Sequence, residues 1–283
     1  MISLLNKTVE NKNHDKPILT DVFYKKTCTK KPIVIFCHGY KGYKDWGAWN
    51  LAVSDFVKNN LFFVKFNFSH NGGTVENPID FPDLEAFGHN NFIIELSDLE
   101  TIIEWVTTNS DFEEEADFEN MTLIGHSRGG GIVTIKASEN NKITKVITWS
   151  GVSDFGARFP NDEKIIQHWK KEGVSYIENA RTKQQMPHYF QFYQSFKDNE
   201  ERLTIKNAVS KLTIPYLIIH GEEDVVVLPQ EAKNLHSWNP RSELIMIEDM
   251  NHPLGCTQPW NEPKMPIHLE KAVKFSIDFI FEK

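Results

Sequence analysis

MTLIGHSRGG, residues 121–130, is the stretch on which the reading of this chain turns. Met121 to Gly125 is a short apolar run that ends on a glycine, and from Gly129 to Ala137 apolar residues recur at helical spacing. The pattern is strand, tight turn, helix, with Ser127 at the turn and a glycine two residues away on either side. Small residues let the backbone fold that sharply. Such an elbow lifts the serine hydroxyl above the C-terminal edge of a sheet and turns the next backbone N–H, here that of Arg128, toward a developing oxyanion. A five-residue pattern with three fixed positions also arises by chance, so a plain turn competes until partners for Ser127 are found.

Working outward, Ile33–Cys37, Leu61–Phe68, Val146–Ser150, Tyr216–His220 and Leu244–Ile247 read as further buried strands, short and bounded by turn residues. Helical faces lie between them: Trp49, Val53, Phe56 and Val57; Phe92, Leu96, Leu99, Ile103 and Val106; and, near the end, Leu269, Val273, Ile277 and Ile280. Alternating strands and helices, with strands apolar almost throughout, predict an α/β fold on a mostly parallel sheet covered on both faces. Ile18–Tyr24 is expected to add antiparallel strands at the edge. At 283 residues, one domain with an insertion is expected.

Two segments break the alternation. SDFEEEADFEN, residues 110–120, carries no His and no ordered ligand spacing, so a solvated loop is expected rather than a metal site. Residues 154–207 are long, aromatic and helical in pattern, and read as a cap inserted over the C-terminal edge of the sheet.

A serine hydroxyl needs a base to take its proton and an acid to hold that base in the right tautomer. Loops leaving the C-terminal ends of parallel strands meet on the edge that carries the elbow. Asp224 stands on such a loop after YLIIH, and His252 on another after LIMIED. Asp154 also follows a strand on that edge and is the rival for the acid. A second oxyanion donor is expected early in the chain, and HGY, residues 38–40, supplies the N–H of Tyr40.

Taken together, His38-Gly39-Tyr40, Gly125-His126-Ser127-Arg128-Gly129, HGEED ending in Asp224, and NHP with His252 resemble the α/β-hydrolase family. The resemblance runs from Ile33 to near the end of the chain. It implies a central, mostly parallel eight-stranded sheet, with Ser127 as nucleophile, His252 as base and Asp224 as orienting acid. The single insertion before the Asp224 strand is similar to that of small cinnamoyl (feruloyl) esterases.

Bland alternatives accompany the remaining residues. His126, His38 and His220 read as packing residues, Cys37 as a small core residue, and Glu222 and Glu223 as solvent-facing. The turn after Leu61–Phe68 offers His70 or Asn71 to a substrate, or merely packs. Tyr189, Phe192, Tyr193 and Phe196 fall at i, i+3, i+4 and i+7, either the packing face of one cap helix or a ligand wall. The residues expected against substrate are Tyr40, His70, Trp149, Phe155, Phe159, Tyr189, Phe192 and Tyr193.

Bulk properties exclude other classes. Lys and Arg number 31 against 39 Asp and Glu, a net charge of -8 without a basic stripe, which disfavours nucleic acid and anionic membranes as partners. No stretch approaches ~18 uninterrupted apolar residues and no leader pattern opens the chain. Three cysteines without a C-x-x-C pair suit a reducing cytoplasm. The expected activity is a cofactor-independent, metal-free serine hydrolase acting on a small-molecule carboxylic ester with an apolar or aromatic acyl group. A thioesterase or acyltransferase, a small-peptide or amide hydrolase, and a ligand-binding protein on the same fold are the alternatives. No motif specifies the alcohol or the oligomeric state.

Overall fold

A run of apolar residues can form a strand only where both of its faces are covered, and in this protein the central strands take that place. The computed structural model describes residues 1–282. In chain order its elements are β1 (Ile2–Val9), β2 (Ile18–Tyr24), β3 (Lys31–Cys37), α1 (Trp49–Lys58), β4 (Phe62–Asn67), α2 (Leu84–His89), α3 (Phe92–Thr108), β5 (Ala116–His126), α4 (Arg128–Glu139) and β6 (Ile143–Trp149). The chain continues through α5 (Glu163–Glu172), β7 (Val174–Glu178), β8 (Gln185–Tyr189), α6 (Gln191–Asp198), α7 (Glu200–Leu203) and α8 (Ile205–Lys211). It closes with β9 (Tyr216–Gly221), α9 (Pro229–Trp238), β10 (Glu243–Ile247) and α10 (Ile267–Phe281).

Eight strands form one sheet in the order β1-β2-β4-β3-β5-β6-β9-β10. All neighbours from β4 to β10 pair in parallel, and β2 is antiparallel to both β1 and β4. On one face α1 and α10 lay Phe56, Val57, Leu269, Val273 and Ile280 over β3, β6 and β9. On the other, Leu96, Leu99 and Ile103 of α3 and Ile132 and Val133 of α4 pack with Ile33, Leu123 and Val146. No helix among the described residues is long and apolar enough to cross a membrane.

Two expectations need correction, while a third holds: the antiparallel strands expected at the edge are β1 and β2, with β1 outermost and all seven residues of β2 buried. Its Asp21 is buried because Lys44, 2.7 Å away, and Lys65, at 3.4 Å, neutralise it. Residues 110–120 are not one solvated loop, since β5 already begins at Ala116 and Glu115 is buried. Glu115 accepts from Lys31 Nζ at 2.5 Å and from the N–H of Cys28 at 2.9 Å, so it pins the turn before β3. The segment 154–207 is not wholly helical either. Between α5 and α6 it carries an antiparallel hairpin, β7 with β8, because Gly173 ends α5 in the left-handed conformation at φ 75° and sends the chain back as a strand.

Candidate active site

Ser127 sits between β5 and α4 with φ 55° and ψ -120°, a conformation that costs a non-glycine residue about 1–3 kcal/mol. The turn is tight enough that a Cβ on Gly129 would come within 2.5 Å of the carbonyl oxygen of Cys37, at the end of β3. The glycine is there so that α4 can start directly against the neighbouring strand.

The two partner loops converge on the hydroxyl. His252 Nε2 lies 3.0 Å from Ser127 Oγ, and His252 Nδ1 lies 2.8 Å from Asp224 Oδ2. Because the carboxylate accepts, Nδ1 carries the proton and Nε2 is free to take one from the serine. The other oxygen of Asp224 accepts from the N–H groups of Val226 at 2.9 Å and Val227 at 2.8 Å. Burial works against its charge, but the hydrogen bond and charge of His252 and these backbone donors hold its carboxyl below the ordinary carboxylate range. The loops meet because Gly221 lacks a side chain: a Cβ there would stand 1.9 Å from the carbonyl oxygen of Met250.

Tyr40 follows Gly39, where a Cβ would touch that of Ser127 at 2.8 Å, so the loop after β3 passes directly over Ser127. Arg128 is the first residue of α4, where a backbone N–H has no acceptor within the helix. The Tyr40 loop is anchored behind by buried charge: Lys44 Nζ reaches Asp21 at 2.7 Å and Asp45 at 2.6 Å, and the Lys44 N–H donates to Asn67 Oδ1 at 2.7 Å. Tyr40 Oη is hydrogen-bonded to His188 Nε2 at 2.9 Å. Burial pushes the phenol up to about 12; burial, helped by the charge of Arg128, pushes His188 down to about 4. Both stay neutral at ordinary pH.

Ser127 borders a cavity of about 450 Å³ beneath residues 154–207 and, on its His252 side, a recess of about 130 Å³ that includes Lys41 and Trp46. Of the residues expected against substrate, Tyr40, Phe155, Phe159 and Phe192 line the larger cavity. The other four do not. Trp149 leaves β6 toward the opposite face, packs on Phe36 and Trp49, and donates from Nε1 to Ser276 at 3.0 Å. His70 bonds Ser69 Oγ at 2.8 Å beside His14, on the far side of its loop. Tyr189 is the last residue of β8, not part of α6, and its hydroxyl donates to Glu85 at 2.5 Å over α2. Tyr193 packs on Phe159, Trp169 and Phe190 inside the insertion.

Asp154, the rival acid, is exposed and caps a turn by accepting from Gly156 N at 2.7 Å. His220 donates to the carbonyl of Val227 at 2.8 Å, and His38 bridges Gly39 O and Phe68 N, so both act as struts between loops. Glu222 and Glu223 are exposed and Cys37 is buried. Sequence reasoning missed the side chains of Arg128, Arg158, Phe92 and His188, all on the larger cavity. Arg128 had a signal, since the residue after an elbow serine opens a helix beside the pocket. His188, inside a hairpin of the insertion, had none.

The family model described as alpha/beta hydrolase fold matches residues 89–255. Among curated proteins, the monoacylglycerol lipase ABHD6 of Rattus norvegicus is 21% identical over 285 residues, covering 88% of this chain and 75% of that protein. Among solved structures, ferulic acid-bound Est1E from Butyrivibrio proteoclasticus is similar at a TM-score of 0.70, with 16% identity and 97% of each chain covered. The monoacylglycerol lipase of Paleococcus ferrophilus is similar at 0.65, with 15% identity over 93% of this chain and 98% of that one. These structural likenesses speak for the fold, and the family match takes in more than half of the sequence: the chain belongs to the α/β-hydrolase fold family.

Proposed function

We propose that this protein is a serine hydrolase that cleaves carboxylic esters through an acyl-enzyme. The observation that carries the reading is the continuous path from Ser127 Oγ to His252 Nε2 at 3.0 Å and from His252 Nδ1 to Asp224 Oδ2 at 2.8 Å. Ser127 Oγ attacks the ester carbon and passes its proton to His252 Nε2, while Asp224 holds the imidazolium that forms. The N–H groups of Tyr40 and Arg128 receive the oxyanion. When the carbon–oxygen bond to the alcohol breaks, the alcohol takes the proton from His252. Water then attacks the acyl-enzyme, giving a proton to His252 that returns to Ser127 Oγ as the acid leaves. The scheme calls on no metal or organic cofactor.

In this reading residues 154–207 form a cap, and the larger cavity takes the acyl group. Its Phe92, Phe155, Phe159 and Phe192 suit an apolar or aromatic body. The smaller recess takes the alcohol. Three free thiols, Cys28, Cys37 and Cys256, fit residence in the cytoplasm.

Intact mass after brief exposure to a fluorophosphonate tests the assignment. Single-site labelling of the native protein, lost in both Ser127→Ala and His252→Ala, is expected. A folded native protein that takes no label and turns over no ester would overturn it in favour of a binding protein.

A further inference from the structure

In a chain of net charge -8, the larger cavity is lined, among the described residues, by two charged side chains, Arg128 and Arg158, and by no carboxylate. Arg158 is satisfied outside the cavity by Glu231, and its side chain is 35% exposed. Arg128 is in a different position. Its side chain is only 14% exposed, and its guanidinium carbon lies 4.6 Å from the ring centroid of Tyr40, 4.9 Å from that of Phe92 and 5.1 Å from that of Phe192. Three ring faces stabilise the cation where water is scarce.

A guanidinium has five N–H donors in a planar fork, and stacking against rings leaves the edges of that plane open to acceptors. Among the described residues Arg128 makes one side-chain hydrogen bond, from Nη1 to Glu95 Oε1 at 3.0 Å. That oxygen is shared with Asn90 Nδ2 at 2.8 Å, and the other oxygen of Glu95 is buried with no partner among the described residues. The counter-charge is therefore bound on one edge and set back from the cavity. The remaining N–H donors of the fork have no protein acceptor among the described residues, and an incoming ligand can supply one.

Resting on the esterase reading above, we propose that Arg128 is the specificity-determining residue of this cavity, selecting acyl groups that end in a carboxylate on an apolar stem. The substrate class is then the half-ester of a dicarboxylic acid, with the aromatic walls taking the stem and the fork of Arg128 taking the free carboxylate in paired hydrogen bonds.

The test uses p-nitrophenyl esters of ω-carboxy acids of graded chain length, each paired with the ω-methyl ester of equal length. The readout is the ratio of kcat/KM for the two. A native ratio above one at the fitting length is expected, falling about tenfold or more in Arg128→Met and recovering in part in Arg128→Lys. A native preference for the methyl ester at every length, or a ratio unchanged in a folded Arg128→Met protein, overturns the proposal. If Arg128→Met does not fold, inhibition of the native enzyme by ω-carboxy and ω-methyl amides decides: the carboxylate should bind about tenfold tighter, and equal or weaker binding overturns the assignment. Failure here with intact ω-methyl ester turnover and fluorophosphonate labelling removes only the role of Arg128, whereas loss of those two activities removes the esterase reading itself.

Discussion

The imidazole of His126 donates from Nε2 to the backbone carbonyl of His252 at 3.0 Å, with the two rings 4.9 Å apart. The residue beside Ser127 thus holds the residue that faces it. Burial, together with the charge His252 can carry, pushes His126 down to about 3, so it remains a neutral donor at ordinary pH. Replacing His126 by Ala should lower kcat by about tenfold with little change in KM, as loss of one buried positioning hydrogen bond predicts. His126→Gln, whose amide can donate in its place, should recover part of the loss; equal losses in both variants would reduce His126 to packing.

Asp224→Asn keeps the shape of the acid and removes its charge. The amide can present its N–H to Nδ1 and favour the wrong tautomer of His252. Turnover of an ester should fall by about 10³- to 10⁴-fold while the fold survives. Steady-state kinetics beside near-ultraviolet circular dichroism separate the two effects, and a loss below tenfold would hand the role to another acid.

Gly221→Ala tests the meeting of the two loops. Its Cβ would stand 1.9 Å from the carbonyl oxygen of Met250, which must move for the variant to fold. A loss of about 2–3 kcal/mol in urea unfolding is expected, with fluorophosphonate labelling slowed in whatever folded protein remains. Native-like stability would show that the loop carrying His252 can yield.

Much of this arrangement was legible beforehand, because strand runs, elbow and partner loops are local patterns with one plausible meeting edge. The errors have identifiable causes. Trp149 ends the strand that Phe155 follows, yet the alternation of β6 sends Trp149 to the α10 side. Tyr189 matched a helical spacing but belongs to a hairpin whose start depends on one left-handed glycine. Glu115 looked solvated because its partners, Thr27, Cys28 and Lys31, are more than eighty positions away.

A pH dependence of stability, separate from catalysis, is expected from the N-terminal hairpin. His14 Nε2 lies 2.8 Å from Asp98, and this hydrogen bond, opposed by burial and aided by the charge of Asp98, raises the imidazole above its ordinary 6.5. A folded value above the unfolded one means that the stabilisation is complete below pH 6.5 and fades as pH rises through the folded value. The stability deficit of His14→Gln in urea should therefore be larger at about pH 5.5 than at about pH 8.5. A deficit that grows with pH would contradict the pairing.

Tyr40→Phe removes the hydrogen bond to His188 and leaves a buried ring nitrogen without it. A thermal stability loss equivalent to about 1 kcal/mol is expected, with a rise in KM larger than the fall in kcat. An unchanged KM would separate the hairpin from substrate capture.

Ser127, Asp224 and His252 all lie outside residues 154–207, and that segment leaves and rejoins the chain between two neighbouring strands, β6 and β9. On the proposed reading, the part of the cavity wall that residues 154–207 supply is a cassette, exchangeable in principle for one of another shape without touching Ser127, Asp224 or His252. The Tyr40–His188 bond is one seam between that segment and the rest of the chain, beside those of Tyr189 with Glu85 and Arg158 with Glu231. On the proposed reading, a transplanted cassette that drops a partner for the Tyr40 hydroxyl disturbs the loop assigned to the oxyanion, so a change in diet and a change in turnover can be inherited separately only if that stitch is among those kept.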